Sequence, residues 1–582
     1  MTFLSIFIFN FLYSYAVLGN PYPYPYPYPY PYPYPAEPAP VQVNPSGGAI
    51  VPTKAESRSG NPYLAYLGIP YAKPPVGDLR FRPPEKPDPW VGLRQSEYGP
   101  SCAQYSLVTE VVEGDEDCLH LNVYRPERIE KKLPVMVFIH AGAFMFFSSP
   151  NYRADYFMDH EIILVTINYR VGILGFLNAG VKEAQGNMGL KDQVMALEWV
   201  RDNIANFGGD PDRVTIFGDM AGGASVHYHM YSPMSKGLFS AAISQGGTAL
   251  CSWAYIPDPK KTTYELSNHI GHPSRNMNQL VQLLKQMNTT ELVGVIPRFF
   301  EWGVNPINPF GVTIEPEING TDRFLTTSPY RTLQKEPVNN VPWMVGVNDQ
   351  LGLFAAASII GNPQEVRDIN SDWLRLAPLI FYYRGLALDT DTVSELILRE
   401  YFKGKPIGNE TLPIFTNLMS DRLFFQGDRK SILSHFTNTQ MNSQPTYLYH
   451  FSHHSNNSIV RVTSIQETLG VTEGDDLQYL FNTPFPYFEV ISEKHRHHQF
   501  SNNFVKLWVH FATHRTTTGA TWNGESISWP PADSRAALNG SPLKLLDINQ
   551  RQPRFIDEPF KSRAEFWDSL PISEYENEVL PF

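Results

Sequence analysis

Val214 to Val226 reads V-T-I-F-G-D-M-A-G-G-A-S-V: an apolar β-branched run ends at Gly218, a sharp turn follows, and small residues open a helix. That is the strand, turn and helix of a nucleophile elbow, whose motif is G-x-S-x-G. Gly218, Asp219, Met220, Ala221 and Gly222 supply every position except the serine. A thioether has no proton to surrender and forms no acyl-enzyme, so Met220 keeps the turn and removes its chemistry. Ser225 lies five residues further on, inside the helix the elbow opens, so it is expected to be a packed hydroxyl and not a displaced nucleophile.

The flanking segments carry a wider pattern. Gly68-Ile69-Pro70-Tyr71-Ala72, Pro74-Pro75-Val76-Gly77-Asp78-Leu79-Arg80-Phe81 and Glu116-Asp117-Cys118-Leu119-His120-Leu121-Asn122-Val123 come first. His140-Ala141-Gly142-Ala143-Phe144, Gly186-Asn187-Met188-Gly189-Leu190 and Asn206-Phe207-Gly208-Gly209-Asp210-Pro211 follow in order. Together they resemble the type-B carboxylesterase and cholinesterase family over roughly residues 45 to 570. The resemblance implies an α/β-hydrolase fold, a central, mostly parallel sheet with helices on both faces. Strands alternating with helical segments point to the same α/β architecture independently.

In that family a serine, an acid and a histidine form the catalytic triad, and backbone N–H groups receive the oxyanion. Matched motif by motif, the serine falls on Met220. The glutamate of Asp-Glu-Gly falls on Leu351 within Asn348-Asp349-Gln350-Leu351-Gly352, and the histidine of Gly-Val-x-His-Gly on Glu473 within Gly470-Val471-Thr472-Glu473-Gly474. Losing one triad member already costs about 10⁴ to 10⁶ in rate, so three replacements imply no ester hydrolysis and no catalytic residue. Gly142, Ala143 and Ala221 match the three oxyanion donors. Asp219 and Glu473 could face each other as paired carboxylates that share a proton or hold a cation; a hydrogen-bonded or wetted Glu473 is the favoured expectation, with no metal and no cofactor. His453, His454, His495, His497 and His498 lie in other contexts. Met220 and Leu351 would floor a pocket flanked by Phe144, Phe146 and Phe147, which either binds an apolar ligand or is filled by its own side chains.

The elements around this site set its compartment. Met1 to Gly19 is a short apolar segment that reads as a secretory signal, cleaved before Asn20. Residues 20–45 form a linker whose seven Tyr-Pro repeats, Tyr22 to Pro35, dictate an extended polyproline-II rod, either a stiff spacer or an attachment strip. Residues 46–582 are the carboxylesterase-like domain. No later apolar run of about 18 residues spans a membrane, and the stretch from Asn577 to Phe582 resembles no lipid-anchor tail. The net charge of −12 argues against nucleic acid and anionic membranes as partners.

Three cysteines fit an oxidising compartment, with Cys102 and Cys118 paired and Cys251 left as a buried thiol. In cholinesterases the loop closed by this pair bears a tryptophan for quaternary ammonium. This loop holds Tyr105 and no Trp, so choline esters are not supported as ligands. Sequons at Asn288, Asn319, Asn409, Asn456 and Asn539 mark expected surface glycosylation positions. Apolar residues at helical spacing from Asn503 to Phe511 suit either core packing or a homodimer seam. Relatives that have lost the triad, namely neuroligins, neurotactin, gliotactin and glutactin, serve in adhesion or the extracellular matrix, and the secreted form of this chain is most similar to the glutactin kind. The resemblance therefore implies a secreted, inactive protein that binds an extracellular protein; the alternatives are an apolar small-molecule carrier and a residual carboxylic ester hydrolase.

Overall fold

Eleven strands form the central sheet of the computed structural model, which describes residues 39–42, 48–439, 444–463, 465, 470–549 and 551–573. The segment read as a secretory signal, the Tyr-Pro repeat and the C-terminal stretch from 574 lie outside the described residues. In chain order the strands are β1 (Thr53–Glu56), β2 (Pro62–Pro70), β3 (His120–Pro126), β4 (Leu133–Ile139), β5 (Ile163–Ile167) and β6 (Gly209–Asp219). Then come β7 (Ala241–Gln245), β8 (Trp343–Asn348), β9 (Thr446–Phe451), β10 (Lys544–Ile548) and β11 (Arg554–Asp557). Their spatial order is β11-β10-β9-β8-β7-β6-β4-β5-β3-β2-β1.

From β5 to β10 every neighbouring pair runs parallel; β3, β2, β1 and β11 close the edges antiparallel. Strands covered on both faces read as continuous apolar runs, which is why Leu133–Ile139 and Ile163–Ile167 carry no polar alternation. Side chains still alternate between faces. Val135, Val137 and Ile139 enter one core with Leu190, Leu197 and Val200 of helix α1 (Met188–Asn203) and Ala224 and Val226 of α2 (Ala221–Tyr231). Met136 and Phe138 enter the opposite core with Phe504, Trp508 and Phe511 of α3 (His498–His514). The seam residues of α3 thus serve the core, one of the two roles their spacing allowed.

The folded unit begins ahead of residue 46: Val41–Gln42 pairs antiparallel with Gly48–Val51, which pairs with Gly92–Gln95. The linker boundary drawn from composition therefore falls too late, because a strand this short leaves no periodic signal. Cys102 and Cys118 are bonded, 16 residues apart. Cys102→Ser with Cys118→Ser is expected to lower the unfolding free energy by about 3 kcal/mol, the loop-closure value for a loop of about this size. Denaturant titration of the reduced-site variant checks this; an unchanged midpoint would show that the bridge adds nothing.

Candidate functional site

β6 ends at Asp219 and α2 starts at Ala221, so a single residue turns the chain. That residue, Met220, has φ 52° and ψ −109°, a left-handed conformation that costs a side chain of this kind about 1–3 kcal/mol. Its N–H donates to Gln245 O at 2.9 Å and its carbonyl accepts from Ala224 N at 2.9 Å. The turn also needs its glycines: a Cβ on Gly222 would stand 2.0 Å from Ile139 O, and one on Gly218 2.5 Å from the Gly222 carbonyl carbon. Strand and helix meet that closely only without side chains. Met220 itself is partly exposed and packs on the core at its edge.

Beside the turn, Gly142, Ala143 and Ala221 present backbone N–H groups that donate to no protein group among the described residues. The Gly142 carbonyl instead accepts from Met145 N (2.7 Å) and Phe146 N (3.0 Å), which curls the loop back. Gln104, inside the disulfide loop, holds Phe147 at both ends: its Oε1 accepts from Phe147 N at 2.7 Å and its Nε2 donates to Phe147 O at 3.2 Å. Phe146 and Phe147 are half-buried, their rings edge to face with centroids 5.1 Å apart. Phe144, expected to flank the site beside them, is instead fully buried against Phe176 and Trp253.

Two loops bring the remaining positions to this end of the sheet. Leu351, after β8, is 1 % exposed. Its carbonyl accepts from Thr472 Oγ1 at 3.2 Å and from Glu473 N at 3.4 Å, and Gln350 N donates to Val471 O at 2.9 Å. Glu473 is half-buried as a residue, yet both its carboxyl oxygens are enclosed and no donor reaches them. The carboxyl group lies against Gly246, where a Cβ would come within 2.5 Å of Oε2.

Its partner is Asp219. Burial comes first in pushing both acids well above the usual carboxyl range; the charge of Asp476 adds to it at both, and that of Asp219 adds to it at Glu473. Both acids are therefore favoured in the protonated form, Glu473 the more so because the charge of Asp219 acts on it. The structure thus brings Asp219 and Glu473 to the site as interacting carboxyl groups, the pairing the sequence allowed. Asp476 accepts from Gln245 Nε2 (2.6 Å) and Asn348 Nδ2 (3.0 Å), and burial pushes it up too. Among the described residues no group of three or more His, Cys, Asp or Glu is placed to hold a metal ion.

Other candidates fall where packing puts them. Ser225 is wholly buried, donating to Ala221 O at 2.8 Å and accepting from Gln193 Nε2 at 3.2 Å. A hydroxyl–imidazole pair exists at Ser235 and His229 (2.6 Å), but both are fully buried at the far end of α2. His453 and His497 bond to each other at 3.1 Å, with His453 stacked on Phe500. Cys251 is a buried thiol whose pKa burial raises, pointing at Asp428 Oδ1 3.4 Å away. All five sequon asparagines are exposed. The cavity beside Phe146, lined also by Tyr105, Ile173, Phe300 and Ile307, measures about 10 Å³. That is room for one water, against several hundred Å³ for a drug-sized ligand.

Residues 39–567 match the model of the Carboxylesterase family. The chain belongs to the carboxylesterase family. Among its relatives, the Apis mellifera protein named venom carboxylesterase-6 is 34% identical over 532 residues, covering 89% of this chain and 92% of that protein. The Tribolium castaneum juvenile hormone esterase is 34% identical over 520 residues, covering 84% of this chain and 87% of that protein. The crystal structure of juvenile hormone esterase from Manduca sexta, with OTFP covalently attached, superposes with a TM-score of 0.76 at 24% identity, covering 91% of this chain and 99% of that one. At that identity the likeness establishes the fold, an α/β-hydrolase. No helix among this carboxylesterase-family protein's described residues is long and apolar enough to cross a membrane.

Proposed function

We propose that this protein is a secreted, catalytically inactive member of the carboxylesterase family that acts by binding another extracellular protein. The observation that carries the reading is Met220 at the elbow, with Leu351 and Glu473 on the two loops facing it. A thioether, an isobutyl group and a protonated carboxyl offer no nucleophile, no orienting acid and no imidazole base. The exposed sequons and the N-terminal secretory segment support the extracellular setting. The glutactin-like resemblance supports adhesion or matrix binding over the carrier alternative.

Hydrolysis is the competing reading, since relatives are named as esterases. Incubating the purified protein with short p-nitrophenyl esters and a serine-directed organophosphate separates them. No turnover above buffer and no covalent mass increase are expected; either one would restore the enzyme. Beads coated with the protein are expected to be retained on extracellular matrix and released by excess free protein. Unretained beads, with native mass spectrometry showing a bound apolar small molecule, would favour the carrier.

A further inference from the structure

His450, on β9, stands between two carboxylates from the neighbouring strands. Its Nδ1 is 3.0 Å from Asp547 Oδ1 on β10, and its Nε2 is 3.6 Å from Asp349 Oδ1, one residue past the end of β8. The ring is buried, and Nε2 has no hydrogen-bond partner at closer range. Asp547 is fixed from behind by Ser452 Oγ (2.5 Å) and Asn549 Nδ2 (2.6 Å). Asp349 is held by its backbone, whose N–H donates to Phe451 O at 3.0 Å, and its Oδ2 lies 3.7 Å from His454 Nε2.

We propose that His450 is a pH-sensitive pin: protonated, it joins Asp547 to Asp349 and so fixes the loop bearing Leu351 against the loop bearing Glu473. Asp349 is two residues from Leu351, and Gln350 between them donates to Val471 O. Asn348, at the end of β8, donates to Thr472 O at 2.8 Å, so the two loops are bonded to each other. The charges facing the pin are Asp349 from β8, Asp547 from β10 and His454 from the loop after β9; Asp475, from the Glu473 loop, faces His454. The inference is independent of whether the protein hydrolyses esters.

The sign follows from these neighbours. Burial alone would lower the His450 pKa, but the two carboxylates outweigh it and raise it above the ordinary histidine value. Burial would likewise raise Asp349 and Asp547, and their histidine partners hold both below the usual carboxylate range. A histidine raised in the folded state gives stability that is complete below about pH 6.5 and is lost as pH rises through the folded value. Above it, two carboxylates remain on either side of a neutral ring, and Asp349 loses its inner counter-charge.

Hydrogen exchange of the full-length secreted protein tests the pin, comparing peptides over 349–353 and 470–476 at about pH 6 and about pH 9 after correction for intrinsic exchange. Protection is expected to fall on going alkaline, and His450→Gln is expected to abolish that loss. Identical pH responses in parent and variant would overturn the proposal. Asp547→Asn keeps an acceptor for Nδ1 while withdrawing the charge, so the NMR titration midpoint of His450 is expected to drop. Should His450→Gln fail to fold, that titration decides: a parent midpoint below the free histidine value overturns the pin.

Discussion

Met220→Ser, Leu351→Glu and Glu473→His made together are expected to give the purified protein turnover of a short p-nitrophenyl ester, at least about 10³-fold above the parent. The elbow already holds residue 220 in its left-handed conformation, and the N–H groups of Gly142, Ala143 and Ala221 are unspent. Both are the costly backbone parts of acyl transfer; what is missing is three side chains. Triad residues act as a unit, so each single reversion is expected to stay at the parent's rate. Leu351→Glu alone places an unpaired carboxylate where the parent is 1 % exposed, and is expected to cost about 3–5 kcal/mol of stability. The histidine at 473 offsets part of that cost in the triple variant. A well-folded triple variant with no turnover would mean that these three positions do not converge on one reacting carbon. Turnover by the parent would mean that a different nucleophile is at work.

The elbow, the oxyanion loop and the disulfide were legible in the sequence because each is local: a strand's apolar run, a glycine-rich turn, a pair of cysteines 16 apart. The parallel centre of the sheet was legible from alternating strands and helices, and its helices do cover both faces. The antiparallel edges were not, since pairing β11 with β10 depends on spatial order that no period reveals. Phe144 was misplaced for a similar reason: its burial is set by packing on Phe176 and Trp253, which are distant in sequence. The Asp219–Glu473 pair could be named as a possibility, but its state could not. That state depends on burial and on which donors reach Glu473, and among the described residues none does. His450 gave no signal at all, because its two carboxylates lie about 100 residues away on either side in sequence.

Glu473→Gln is expected to make the protein more stable at neutral and alkaline pH, by a margin that widens with pH. In the unfolded chain Glu473 loses its proton near pH 4.3, whereas in the folded protein burial first, and then the charge of Asp219, hold the proton on to higher pH. The folded state then binds more protons, so its stability falls by about 1.4 kcal/mol per pH unit from there up to the raised folded value. Glutamine supplies the same donor to Asp219 without a proton to lose, which removes that slope. Asp428 and Asp475, each pushed up to about 7 chiefly by burial, add slopes of the same sign up to neutrality, but they are present in both proteins and cancel in the difference. Denaturant unfolding curves of parent and variant are therefore expected to diverge steadily from about pH 5 to about pH 8, the variant gaining as pH rises. Parallel curves would mean that Glu473 is already ionised at the floor of the site. A carboxylate there would need a cation or donors that Asp219 cannot provide, and the chemistry open to the site would change with it.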